Sequence, residues 1–265
     1  MNNNNTPLIL VSNDDGYLAR GVRFLIDRLV KFGDVVAICP DGPRSGQSMA
    51  ITVNDALKVS RLPDYNGAKM YKVSGTPVDC VKLAMHTLLP RCPDLVVTGI
   101  NHGSNSAVNV LYSGTMGAAM EGCAFGIPSI GFSLNDHSAD ADFTPCIDAV
   151  DILVEQTLEH GLPQNICLNV NIPKLNHAPE GMKLAVACKG KWNDEYKEYT
   201  DPQGNKFYWL TGEYVNDEPD NDKTDEWCLT HGMVSIVPVA LERTAPICSE
   251  IEWLREITAK YQANS

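Results

Sequence analysis

Two adjacent carboxylates, Asp14 and Asp15, follow the short apolar run Leu8-Ile9-Leu10-Val11 and stand directly before Gly16. Such a pair can hold a hard divalent cation; equally, Asp14 can cap a following helix while Asp15 faces solvent. Ser45 and Asn101 add neutral oxygens, so that Asp14, Asp15, Ser45 and Asn101 offer oxygen ligands only. Carboxylate, hydroxyl and amide oxygens suit Mg²⁺, Mn²⁺ or Ca²⁺ and do not favour zinc. Ser113-Gly114-Thr115 precedes a run of small residues with helical character. Free backbone N–H groups and two hydroxyls there make either a phosphate cradle or a simple N-cap. Ser74-Gly75-Thr76 carries the same ambiguity, with capping by Thr76 expected in either case, and Arg44 is either a phosphate contact or a solvated side chain. A divalent ion acidifies water and offsets charge on a transferring phosphoryl group. Phosphoryl chemistry is therefore what these residues could do together. His102 and His231 are weaker candidates, for which structural roles are favoured over catalysis, and no leaving-group acid stands out.

These residues need elements to bring them together. Leu8 to Val11 reads as a buried parallel strand, Val22 to Val30 as a helix closed by Gly33, and Val35 to Pro40 as a second strand. Between Met49 and Gly67 only weak strand signals occur. Met70 to Val73 is a strand, and Thr76, Pro77 and Asp79 open a helix that Pro90 ends. Asp94 to Thr98 and Ser129 to Leu134 are strands separated by the small-residue helix from Met116 to Phe125, and a helix from Thr144 to His160 follows. Strands alternating with helices predict an α/β fold with a doubly wound, mostly parallel sheet. In such a sheet the strand ends share one edge, so the segments at 13–15, 44–46, 74–76 and 99–101 can converge on a single crevice.

Past Leu162 the pattern changes: Cys167 to Ile172 and Leu184 to Cys188 read as strands, and Met233 to Val239 as another, before a terminal helix from Cys248 to Tyr261. Lys189 to Glu226 is polar and aromatic and ends in an acidic stretch, Glu213 to Glu226, which predicts a projecting hairpin arm. The expected organisation is one unit over 1–265, with a core at about 7–188, an arm at about 189–232 and a closing strand and helix at about 233–265.

The formal charge of −12 argues against nucleic acid or an anionic membrane as a partner. A phosphorylated ligand would need local positive charge from a metal, an arginine or helix N-termini. The nine cysteines include no CxxC and read as reduced thiols of a cytoplasmic protein. No stretch approaches a membrane-spanning length.

Taken together, Ser12-Asn13-Asp14-Asp15-Gly16, Arg44-Ser45-Gly46, Gly75-Thr76-Pro77-Val78-Asp79-Cys80, Gly99-Ile100-Asn101-His102-Gly103-Ser104-Asn105 and Tyr112-Ser113-Gly114-Thr115-Met116-Gly117-Ala118-Ala119-Met120-Glu121-Gly122 resemble the SurE family of survival-protein nucleotidases. Thr224-Asp225 with Trp227, and Val234 to Pro238, extend the resemblance towards the C-terminus. The resemblance implies a Rossmann-like core with a C-terminal hairpin arm, and hydrolysis of nucleoside 5′- and 3′-monophosphates. It implies one divalent ion per subunit, Mg²⁺ or Mn²⁺, on Asp14, Asp15, Ser45 and Asn101, and phosphate contacts at Ser113, Gly114 and Thr115, with Asn13 and Gly46 counted beside them. It further implies a homodimer with exchanged C-terminal segments, or a tetramer joined through the hairpin. Thr98 and Tyr17 to Arg20 depart from the family pattern without touching a ligand position.

The two catalytic routes open to these residues are attack by metal-activated water with Asp14 as base, and direct attack by Asp14. A Mg²⁺-binding phosphoryl-receiver domain is the alternative function. It needs a third aspartate and a lysine at later strand ends, where Ser74-Gly75-Thr76 and Gly99-Ile100-Asn101 stand instead. A dinucleotide-binding oxidoreductase would need GxGxxG after the first strand, which is absent.

Overall fold

The computed structural model describes residues 6–245 together with Trp253, Arg255 and Ile257. The chain forms β1 (Leu8–Ser12), α1 (Arg20–Leu29), β2 (Asp34–Pro40), β3 (Val59–Tyr65), β4 (Ala68–Val73) and α2 (Pro77–Leu83). Then come β5 (Leu95–His102), α3 (Gly114–Ala124), β6 (Ser129–Leu134), α4 (Ile147–His160), β7 (Ile166–Ile172) and β8 (Met182–Leu184). The last elements are β9 (Gly190–Asn193), β10 (Tyr196–Thr200), β11 (Lys206–Leu210), β12 (Glu213–Asn216), α5 (Asp225–Thr230) and β13 (Val234–Ala240).

Nine strands build the main sheet in the order β3-β4-β2-β1-β5-β6-β7-β13-β8. From β4 to β7 every pairing is parallel; β3 joins β4 and β13 joins β7 antiparallel. The chain winds outward from β1 through β2 and β4, then crosses over to β5, β6 and β7, so strand order reverses between β1 and β5. That reversal opens a crevice beyond the carboxyl ends of these two strands, where α/β sheets bind ligands.

Period-two alternation on β1 feeds both faces. Ile9 and Val11 pack in one core with α1 and α4, while Leu8 and Leu10 pack in another with α2 and α3. Helix α1 sinks Val22, Leu25, Ile26 and Leu29 into the first core. Helix α2 starts with the capping box expected at Thr76 and Asp79, and Pro77 supplies its first position. The Met116-to-Phe125 helix begins at Gly114 and buries nearly its whole length, because small residues let it lie close to the sheet.

Three elements differ from the sequence reading. The strand expected to stop at Thr98 continues to His102, with a register shift against β6 between Thr98 and Asn101. Gly99 has φ +113°, and a β-carbon there would stand 2.2 Å from the Phe132 carbonyl oxygen, so only glycine permits this course. The helix after Thr76 leaves α geometry at Ala84, where a wider turn to Leu88 closes with Leu89 N–H donating to the Ala84 carbonyl. The strand expected at Leu184 to Cys188 is instead Met182–Leu184, with Val186 making an isolated bridge to Thr224. The expected terminal helix lies mostly outside the described residues; Trp253, Arg255 and Ile257 within it have helical backbone.

Candidate metal and phosphate site

Asp14, Ser45, Gly46, Asn101 and Ser113 line one cavity of about 550 Å³ at the crevice between β1 and β5. The aspartates leave β1 in the tight turn at Gly16, which the Asn13 side-chain amide closes by donating to the Gly16 carbonyl at 2.9 Å. Asn13 is fully buried, and its Oδ1 has no hydrogen-bond partner among the described residues. Backbone N–H of Arg44 donates to the Asp14 carbonyl at 2.7 Å, which holds the Ser45-Gly46 loop against the aspartate turn. Asn101 is oriented by its own amide, which donates to the Gly103 carbonyl at 2.7 Å and leaves its Oδ1 free of that bond.

Helix α3 approaches from the other side. Ser113 caps it by accepting from Met116 N–H, and Thr115 Oγ1 donates to Asp14 Oδ1 at 2.5 Å. Gly114 lies so close to Asp14 that a β-carbon would stand 2.8 Å from the aspartate Cβ. The phosphate-cradle candidate and Asp14 are therefore one structure.

Burial pushes the Asp14 carboxyl up to about 6, the neighbouring Asp15 charge pushes the same way, and the Thr115 hydrogen bond opposes both. Burial raises Asp15 as well, against the hydrogen bond from His102 N–H at 3.3 Å. Among the described residues neither carboxylate forms an ion pair with a lysine or arginine, although the nearby His102 opposes the effect of burial on Asp15, and no three His, Cys, Asp or Glu side chains group as metal ligands. An ion bound here would have to use the neutral oxygens of Ser45 and Asn101 as well. Two adjacent, desolvated carboxylates, joined by neutral oxygens, fit a hard divalent ion.

Not every candidate segment reaches the crevice. Ser74-Gly75-Thr76 stays behind it and supports Arg44, whose guanidinium reaches Asp41 at 2.9 Å and the carbonyls of Gly75 and Ser74. That arginine is thus engaged along the loops and does not line the cavity. His231 stacks on Trp227 with centroids 3.9 Å apart and bonds the Trp227 carbonyl, away from the site. His102 does line the cavity, packed edge-on against Phe143.

Other lining residues were hidden in the sequence. The loop at 103–106 is pinned by a buried amide network: Asn105 N–H donates to Asn171 Oδ1, Asn105 Nδ2 to Ser133 Oγ, and Asn169 Nδ2 to the Asn105 carbonyl. The signal was Asn169 and Asn171 at alternate positions of an otherwise apolar strand. Asp225 and Glu226, read as part of an acidic stretch in a projecting arm, open α5 behind its cap Thr224 and fold back onto this loop. Asp225 is fully buried and accepts from the backbone N–H groups of Ala107, Cys188 and Glu226, while Glu226 takes a hydrogen bond from Ser106 Oγ and lines the cavity. Burial raises both carboxyl groups.

Fold and site together define an α/β protein with its ligand crevice at the switch point of a parallel sheet. The family profile described as "Survival protein SurE" matches residues 9–194. A protein named 5′-nucleotidase SurE from Phocaeicola vulgatus is 49% identical over 239 residues, covering 90% of this chain and 93% of that one. One of the same name from Bacteroides fragilis is 48% identical over 242 residues, covering 91% and 94%. The crystal structure of the SurE protein from Aquifex aeolicus superimposes with a TM-score of 0.79 at 35% identity, covering 97% of this chain and 100% of that one. The chain belongs to the SurE family.

Proposed function

We propose that this chain is a divalent-metal-dependent phosphomonoesterase that hydrolyses nucleoside 5′- and 3′-monophosphates. The observation that carries the reading is the buried carboxylate of Asp14, bonded to Thr115 at the N-terminus of α3, with the half-buried Asp15 next to it on the same turn. The name 5′-nucleotidase SurE borne by relatives at up to 49% identity supports the substrate class.

Asp14, Asp15, Ser45 and Asn101 would hold one Mg²⁺ or Mn²⁺ ion per subunit, which supplies charge neutralisation at the phosphoryl group and eases deprotonation of water. Ser113 would offer its hydroxyl to the phosphate, and Gly114 and Thr115 the backbone N–H groups of the first turn of α3, with Gly46 at the facing loop. Asn13, whose amide also closes the aspartate turn on the Gly16 carbonyl, is counted with these phosphate-binding residues. Thr115 donates to Asp14, so the other carboxylate oxygen is the one available to accept a proton or to attack phosphorus. The phosphoryl-receiver alternative lacks its third aspartate and its lysine.

The protein would act as one unit over 1–265 in the cytoplasm, as a homodimer with exchanged C-terminal segments or a homotetramer joined through the hairpin arm. Among the described residues no helix is long and apolar enough to cross a membrane, and all eight described cysteines are unpaired. Phosphate release from a panel of nucleoside monophosphates with Mn²⁺ or Mg²⁺ tests the reading. Release that a chelator abolishes is expected; no release from any nucleotide would overturn it.

A further inference from the structure

The cavity that holds Asp14, Ser45 and Ser113 has a second wall, aromatic and supplied by the arm. Strands β9 and β12 pair antiparallel with Trp192 directly opposite Tyr214, and the rings meet edge-to-face with centroids 6.0 Å apart. Both residues line the cavity. The indole N–H donates to Asn109 Oδ1 at 2.9 Å. Asn109 in turn accepts, at its carbonyl, from the N–H groups of Tyr112 and Ser113 at 3.0 and 3.1 Å. The indole is therefore tied through one residue to the start of the phosphate cradle, although 36% of Trp192 remains exposed. A fixed aromatic face left open beside a phosphate-binding helix start has the properties of a stacking platform for a base.

Building on the nucleotidase reading, we propose that Trp192, backed by Tyr214, is the surface on which the base of the nucleoside monophosphate stacks. Stacking needs no particular hydrogen-bond pattern, so this wall would accept every base and favour the larger purines. It would contribute nothing to a phosphorylated sugar that has no base.

Steady-state kinetics with AMP and with ribose 5-phosphate, in the full chain with Mn²⁺, separate the roles. Trp192→Ala should raise KM for AMP by about 10- to 100-fold. It should leave kcat for AMP, and both constants for ribose 5-phosphate, within about twofold. Trp192→Phe should restore most of the AMP affinity. In the wild-type protein AMP should quench tryptophan fluorescence more than ribose 5-phosphate does, and Trp192→Phe should remove the difference; this readout also serves if Trp192→Ala fails to fold. Unchanged AMP kinetics in a folded Trp192→Ala protein, or an equal loss on both substrates, would overturn the base platform while leaving the phosphatase intact. A wild-type protein that hydrolyses neither substrate overturns the nucleotidase reading, and this assignment with it.

Discussion

Asp14 and Asp15 are forced to share a site that neither can occupy comfortably as an anion. With no ion bound, Asp14 sits at about 6 against an ordinary 3.8, chiefly through burial. The folded protein then keeps a proton between about pH 4 and 6 that the unfolded chain has already released. Stability from this group is therefore greatest below about pH 4 and declines as pH rises through about 6, by about 3 kcal/mol for a shift near two units. A cation at the pair offsets that loss, but below pH 6 it must first displace the proton. Mn²⁺ should accordingly raise the thermal midpoint several degrees more at pH 7.5 than at pH 5, measured at equal metal concentration; equal shifts would contradict an ion at this pair. Asp14→Asn and Asp15→Asn should each lower kcat/KM by about 100-fold or more while keeping the wild-type circular dichroism, an effect of the size seen when a key electrostatic group is lost. At this scale the convergence of Asp14, Ser45, Asn101 and Ser113 on one cavity was legible, the first three because polar residues follow apolar strand runs and Ser113 because it stands at a helix start. Glu226 was not, because nothing in an acidic stretch marks which carboxylate turns inward.

The elements that aim these residues were legible in proportion to how local their causes are. Capping at Thr76 and Ser113, the stripes of α1 and α4, and the apolar runs of the parallel strands depend on neighbouring residues, and all are present. The extension of β5 past Thr98 depends on a contact with β6, and α5 depends on the loop at 106–107, so neither shows in local pattern. Asp225 tests the second case. It satisfies three backbone N–H groups from three segments in the interior, at 2.8 to 2.9 Å. Asp225→Ala leaves these donors without partners, and each unsatisfied buried group costs about 1–3 kcal/mol before water relieves part of it. A loss of about 3 kcal/mol in urea denaturation is expected, with Asp225→Asn losing less because its amide oxygen still accepts. A loss below about 1 kcal/mol would mean that α5 is held by packing alone. Gly114→Ala probes the other junction: its β-carbon would collide with Asp14, so kcat/KM should fall by about 10-fold or more with little change in fold.

At the scale of the whole molecule, a net charge of −12 sits beside an arm rich in exposed aromatic residues. Among the described residues strands β10 and β11 pair only with each other, with Tyr199 stacked on Phe207 and Trp209 opposite Lys197. Tyr196, Tyr208, Trp209 and Leu210 are 57–70% exposed. An isolated two-stranded hairpin is marginal in water, and its apolar surface gains little unless something covers it. Strong negative charge makes a nucleic-acid or membrane partner costly, which leaves a second copy of the same hairpin as the occupant with matching chemistry, since isologous pairing lets one patch cover itself. Light scattering on the eluting protein should therefore give a mass at least twice 29.0 kDa. Tyr199→Glu with Trp209→Glu puts like charges across that contact and should lower the assembly by at least one step, from tetramer to dimer or from dimer to monomer. Phosphate release per subunit should persist, because neither residue lines the cavity. A monomeric wild-type protein, or an assembly indifferent to both charges, would show that the arm serves the crevice alone.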